Sequence, residues 1–219
     1  NGNSDSDQVQ ILNSAPAVSN ASINPTSATA STSSLECEYT YTDLDTDVSR
    51  STVTWYKNSS NVGTGATYSG PFVGGDTIYC SVQANDGTVN GNSTNSSTIT
   101  VRNTAPVVSG VAVTPSSPYT NQGLSCAHTY FDADGDANRS TYVWTVSSTQ
   151  AGAGSVVGGD SSTLASSSFT RDQWVTCTVT ANDGITNGNS DSDQVKILNS
   201  APVVSNASIN PTSATASTS

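Results

Sequence analysis

An all-β chain folded as sandwich domains in tandem is what the sequence predicts, on three observations. Ser and Thr fill 70 of the 219 positions, 39 and 31 respectively. With Asn and Gly they weaken helix interiors and suit short strands and turns. Apolar and polar residues alternate around each Cys, the period-two signature of a half-buried strand. The sequence also repeats itself at a fixed spacing, the mark of a modular array. Low apolar content, 33%, and a net charge of −11 raise disorder as a competing reading. The alternating runs argue against it.

The repeat sets the organisation. Residues 1–33 and 187–219 differ only at Gln10/Lys196 and Ala17/Val203, a period of 186 residues. Inside it, the junction Asn-Ser/Thr-Ala-Pro begins at Asn13, Asn103 and Asn199, giving alternating units of 90 and 96 residues. The sequence therefore reads as the last strand of a preceding repeat (1–12), an A unit (13–102), a B unit (103–198) and the first strand region of a following A repeat (199–219). It has no Met and opens on Asn1-Gly2-Asn3-Ser4, so an excerpt of a longer array is expected.

Each unit carries the same strands in the same order. Leu35, Cys37, Tyr39 and Tyr41 alternate with Glu36, Glu38 and Thr40 in A, as Leu124, Cys126, His128 and Tyr130 alternate with Ser125, Ala127 and Thr129 in B. Eighteen residues beyond each Cys stands a Trp, Trp55 or Trp144. A third run holds Ile78, Cys80, Val82 and Ala84, matched by Val175, Cys177, Val179 and Ala181, and both runs turn through Ala-Asn-Asp-Gly. A last strand carries Ile99 and Val101, or Val195 and Ile197.

An inward Cys, a Trp on the next strand and a second inward Cys resemble the B, C and F strands of immunoglobulin-like domains. With Ala-Pro-Val-Val at the start, Phe-Asp-Ala-Asp-Gly-Asp after the first Cys strand and a strand ending in Asn-Asp-Gly, the units are also similar to bacterial and archaeal surface repeats of the PKD and cadherin-like type. The resemblance implies tandem immunoglobulin-like sandwiches, each with one internal disulfide: Cys37 with Cys80 and Cys126 with Cys177. Four Cys allow three pairings, and this one gives both units the same bridge. It also implies an extracellular spacer, stalk, adhesive or filament-forming role. Fold analogy alone fixes no function.

Two sets of polar residues are candidate sites. Asp43, Asp45 and Asp47 alternate in A, and Asp132, Asp134 and Asp136 in B. Closely spaced carboxylates suit a hard cation such as Ca²⁺, which takes six to eight oxygens, and Asp86 and Asp183 complete the set if the fold brings them near. An acidic turn in solvent is the plain alternative. N-glycosylation sequons stand at Asn20, Asn58, Asn92, Asn95, Asn138 and Asn206. With Ser or Thr so frequent, about six arise by chance, so their number says nothing. The hydroxyl-rich run from Thr26 to Ser34 is a surface for O-linked sugar.

Other functions find little support. A pI near 4.1 disfavours nucleic acid or an anionic membrane as partner, and no apolar run approaches the ~18 residues of a membrane span. His128 is the only histidine and aligns with Tyr39 on the inward face, which reads as packing rather than catalysis. No Gly-X-Ser-X-Gly turn is present. Trp174 has the opposite parity to Cys177 and is expected to face outward. The expected partners are copies of the chain itself, as a homopolymer or continuous array, with glycans possible and no enzyme activity. An adhesin or carbohydrate-binding module of a larger secreted protein is the alternative. Strand donation by residues 1–12 would also join copies.

Overall fold

A computed structural model describes residues 7–150 and 152–208. The first ten residues of this range and residues 201–208 carry no strand, and residues 1–6 and 209–219, where parts of the flanking repeat fragments were expected, lie outside it. The chain divides into two compact units. The first takes residues up to Pro106 with the loops Phe131–Ala137 and Asp183–Thr186, and the second takes Val107–Tyr130, Asn138–Asn182 and the residues from Asn187 onward.

The first unit holds β1 (Ala17–Asn24), β2 (Ala28–Thr29), β3 (Leu35–Thr42), β4 (Thr52–Lys57), β5 (Ser60–Thr64), β6 (Thr67–Tyr68), β7 (Thr77–Asn85), β8 (Asn90–Asn95) and β9 (Ile99–Arg102). One sheet runs β1-β3-β6 and the other β2-β9-β7-β4-β5, with β8 also pairing β7. The second unit holds β10 (Val107–Thr114), β11 (Leu124–Phe131), β12 (Thr141–Ser147), β13 (Ser155–Val157), β14 (Thr163–Leu164), β15 (Trp174–Asn182) and β16 (Asn187–Lys196). Its sheets run β10-β11-β14 and β13-β12-β15-β16. Both are immunoglobulin-like sandwiches.

Alternation explains the cores. Along β7 the residues Ile78, Cys80, Val82 and Ala84 are all buried, and along β15 Val175, Cys177, Val179 and Ala181 are. Each sandwich is stapled between its sheets, by Cys37–Cys80 in the first and Cys126–Cys177 in the second. The Trp on the neighbouring strand completes the core: Trp55 and Trp144 are fully buried. A buried indole needs an acceptor for its N–H. Trp55 donates to the Gly65 carbonyl at 2.9 Å and Trp144 to the Ser161 carbonyl at 2.8 Å.

The first strand of each sandwich has one residue in the left-handed backbone region, and in β1 it sits at a bulge. In β1 the register with β3 shifts between Ser19 and Ser22, and Asn20 there has φ 54°. Gly110 holds the matching position of β10 at φ 63°. Gly and Asn are the residues that tolerate this left-handed backbone.

Candidate functional site

The acidic triplets form matching loops after β3 and β11. In each, the first aspartate folds the loop onto itself. Asp43 Oδ1 accepts the amides of Asp45 and Asp47 at 2.8 and 3.1 Å, and Asp132 Oδ1 accepts those of Asp134 and Asp136 at the same distances. The middle aspartate has a different task. Asp45 Oδ2 accepts the Ser14 amide at 2.6 Å, and Asp134 Oδ2 accepts the Thr104 amide at 2.6 Å. Asp134 also takes the Gly74 amide on Oδ1, at 2.6 Å.

Ser14 and Thr104 belong to the Asn-Ser/Thr-Ala-Pro junctions, and the preceding Asn is held too. Asn13 Nδ2 donates to Asp86 Oδ2 and Asn103 Nδ2 to Asp183 Oδ2, both at 2.7 Å. Asp86 and Asp183 come from the Asn-Asp-Gly turns and are only 8% and 5% exposed. Their other oxygens accept turn amides, from Thr88 and Val89 in one and Ile185 and Thr186 in the other. The joint is thus the same at both places: the junction Asn on the turn aspartate, the next amide on the middle aspartate of the triplet. Sequence reasoning missed the role of Asn13 and Asn103, although the recurrence of Asn at 13, 103 and 199 was a visible signal.

The charges respond accordingly. The Asn13 side chain, with the Val89 amide and Thr88, holds the Asp86 carboxyl well below the usual carboxylate range. Burial pushes Asp183 up, but hydrogen bonds from the Thr186 amide, Asn103 and the Ile185 amide outweigh it and lower the group. Asp136 is raised, by burial and then by the charges of Asp132, Asp183 and Asp134. Tyr41 is raised by burial and by Asp43, Asp86 and Asp47.

Of the residues expected to face a cation, Asp43, Asp45 and Asp47 each offer an oxygen within 4.8 Å of the others. In the second loop the close group is Asp132, Asp136 and Asp183, with the turn aspartate in place of Asp134. Asp134 points to the Thr104 and Gly74 amides instead. Buried oxygens without a hydrogen-bond partner lie among these residues: Asp43 Oδ2, Asp132 Oδ2 and Asn103 Oδ1. A carboxylate and an amide carbonyl, both acceptors, are the donor set a hard cation takes.

The sequons occupy different settings. Asn92 is committed to the backbone: its Oδ1 accepts the Val18 amide and its Nδ2 donates to the Val18 carbonyl, both at 2.8 Å. Asn189, which lies in no sequon, does the same for Val108. Asn58 bonds Asp76 and the Thr77 amide, and Asn138 contacts His128 and the Ser140 amide. Asn20, Asn95 and Asn206 are exposed, and Asn20 Nδ2 donates to Thr40 Oγ1 at 3.4 Å. His128 is half-buried, edge-on to Tyr142 with ring centroids 5.7 Å apart. Trp174 is half-buried on the face of β15 away from the core.

No protein-family model matches the sequence, and no curated protein does. Among solved structures, the amphioxus IgVJ-C2 molecule is 16% identical with a TM-score of 0.42, covering 78% of this chain and 99% of that one. The two fibronectin type-III domain segment of chicken tenascin is 12% identical with a TM-score of 0.34, over 83% and 97%. The three N-terminal domains of the bacteriophage RB49 Highly Immunogenic Outer Capsid protein are 18% identical with a TM-score of 0.32, over 84% and 59%. The fold assignment rests on the strand order and the two bridges themselves. Among the described residues, no helix is long and apolar enough to cross a membrane.

Proposed function

We propose that the chain is a non-enzymatic structural repeat of an extracellular filament or surface stalk, built from alternating A (13–102) and B (103–198) units of the PKD or cadherin-like type. The observation that carries this reading is the joint. The same two hydrogen bonds recur at Asn13–Ser14 and Asn103–Thr104, with distances of 2.7 and 2.6 Å in both. A four-residue junction ending in Pro has few backbone options, and pinning its first two residues leaves fewer. Disulfide-stapled sandwiches with an acidic, hydroxyl-rich surface suit life outside the cell. Electron microscopy of the native material is the test. An ordered filament repeating every two units, on the order of 60–90 Å for sandwiches stacked along their strands, supports the reading. Separate beads on flexible tethers overturn the filament.

The carboxylate groups support a calcium proposal within this reading. Asp132, Asp136 and Asp183 would hold the ion in B with Asn103 Oδ1, and Asp43, Asp45 and Asp47 in A. Two unpartnered buried oxygens in B, Asp132 Oδ2 and Asn103 Oδ1, against one in A, Asp43 Oδ2, favour B. Calcium should then raise the thermal midpoint and EDTA lower it; a midpoint indifferent to both rejects the proposal. For sugar, Asn95, Asn20 and Asn206 are the sequons we propose as acceptors, checked by intact mass against the bare sequence.

A binding module has one observation in its favour, the Tyr56–Tyr79 pair stacked at 4.7 Å on the outer face of β4 and β7. Thr145 and Thr176 stand at the matching places of the second sandwich, so the platform does not recur. Affinity of the chain for a soluble glycan, lost in Tyr79→Thr, would revive it.

A further inference from the structure

The two sandwiches carry different residues at their ends and in their starting loops. At the start of each unit the triplet loop is presented; at the end of each, three segments meet. In the first sandwich these end segments are Thr29, Gly74 and Arg102, with Thr29 paired to Arg102. In the second the matching residues are Tyr119, Arg171 and Leu198, with Tyr119 bridged to Leu198. Two backbone bonds confirm the correspondence around Gly74 and Arg171. The next residue's amide, of Gly75 or Asp172, donates to the carbonyl of Val101 or Ile197.

The starting loops differ in the same sense. Around the middle aspartate, A carries Leu44 and Val48, 87% and 79% exposed, where B carries Ala133 and Ala137. The end of B exposes Tyr119 and Leu198, 46% and 37%, and the segment that carries Arg171 runs beside Leu198, with the Asp172 amide on the Ile197 carbonyl. Large apolar residues and a cation thus end B, and large apolar residues around a carboxylate begin A. The end of A and the loop of B carry small or polar residues at all these places except Arg102. Among the described residues, the ion pair of Arg171 is a 3.9 Å contact with its neighbour Asp172, both well exposed.

Resting on the array reading, we infer that the end of the B unit is a docking surface for the start of a following A unit, a second copy of residues 13–102. Arg171 meets the carboxylate of the copy of Asp45 or Asp47, supplying by charge what the Gly74 amide supplies to Asp134 within the first compact unit. Tyr119 and Leu198 cover the copies of Leu44 and Val48. Asn199 and the Ser200 amide take the copies of Asp86 and Asp45, as Asn13 and Ser14 do here. The junction segment is already tethered at its base, where the Leu198 amide donates to the Pro118 carbonyl and Ser200 Oγ lies 2.8 Å from Thr120 Oγ1. A shallow cleft lined by Tyr119, Gln122, Asn199 and Ala201 opens beside it.

The test uses the full chain extended by a copy of residues 34–102 after Ser219, which completes the unit that 199–219 begins. Carrying Arg171→Lys, with its third disulfide verified by mass, it is treated with a zero-length carbodiimide. The expected product is an amide between the amine introduced by that substitution and the copy of Asp45 or Asp47. Its yield should fall as salt rises toward about 1 M, where the screening length is only about 3 Å, and in Leu198→Ser. A folded third unit without this cross-link, or with the introduced amine joined indiscriminately to other carboxylates, overturns the docking. It leaves the array reading standing, since that is decided by the repeat seen in native filaments.

Discussion

The two sandwiches have one core and two different ways of closing it. In the second, β16 pairs with β15 without interruption from Ser190 to Lys196. In the first, one extra residue splits the same strand into β8 and β9, and the break is filled by Ser96, buried at 8%. Its hydroxyl accepts the Cys80 amide at 3.1 Å, and its own amide donates to the Cys80 carbonyl. That is a bulge in which a side chain takes over a rung of the ladder. The first strands differ as well. Asn92 ties β1 through Val18, as Asn189 ties β10 through Val108. In the second sandwich Asp191 and Asp193 add ties to the Val111 and Val113 amides. Core positions tolerate little change because they share one packed interior. An edge needs only some acceptor for each buried amide, so it drifts between solutions.

The largest effect should leave the comparison even. Removing either bridge, as Cys37→Ala with Cys80→Ala or Cys126→Ala with Cys177→Ala, should cost about 2–5 kcal/mol in its own sandwich. Loops of 43 and 51 residues make the two losses nearly equal in urea unfolding. A clear inequality would show that the cores are not equivalent. Asn92→Ala and Asn189→Ala sharpen the contrast at the edge, with losses of about 1–3 kcal/mol from an unmatched buried amide. The first sandwich should suffer more, because β10 keeps its two aspartates. Hydrogen exchange resolved by sandwich reads the difference, and equal losses would make those aspartates idle. Asp193→Ala should cost about 1–2 kcal/mol, confined to the second sandwich. Tyr79→Thr, which imports the second sandwich's residue into the first, is the mildest, about 0.5 kcal/mol from the lost stack; a larger loss would mean the pair supports the core.

The strands around Cys37, Cys80, Cys126 and Cys177 were legible because one period governs them and a Trp marks the next strand. The triplets were legible as acidic turns but not as parts of a joint. Asp45 and Asp134 look interchangeable with their neighbours until the fold brings Ser14 and Thr104 beside them. Nor does a string of residues distinguish Asn92, which mends an edge, from Asn95, which does not, since both sit in the same Asn-Ser-Ser/Thr wording. The exchange of Asp134 for Asp183 in the close carboxylate group depends on two turns some fifty residues apart in sequence. The bulge at Ser96 was present only as a single unmatched residue between the units.

The burial of the bridges has a consequence for their chemistry. A reducing thiolate must reach a sulfur along a narrow path of approach, and Cys80 and Cys177 have no exposed surface while Cys37 and Cys126 have almost none. Each staple is therefore cut only when its sandwich opens. With small thiol in large excess, the rate of cutting becomes independent of thiol concentration and equals the rate of opening. The four sulfurs thus make a pair of built-in clocks, one for each unit, read by mass without any added label.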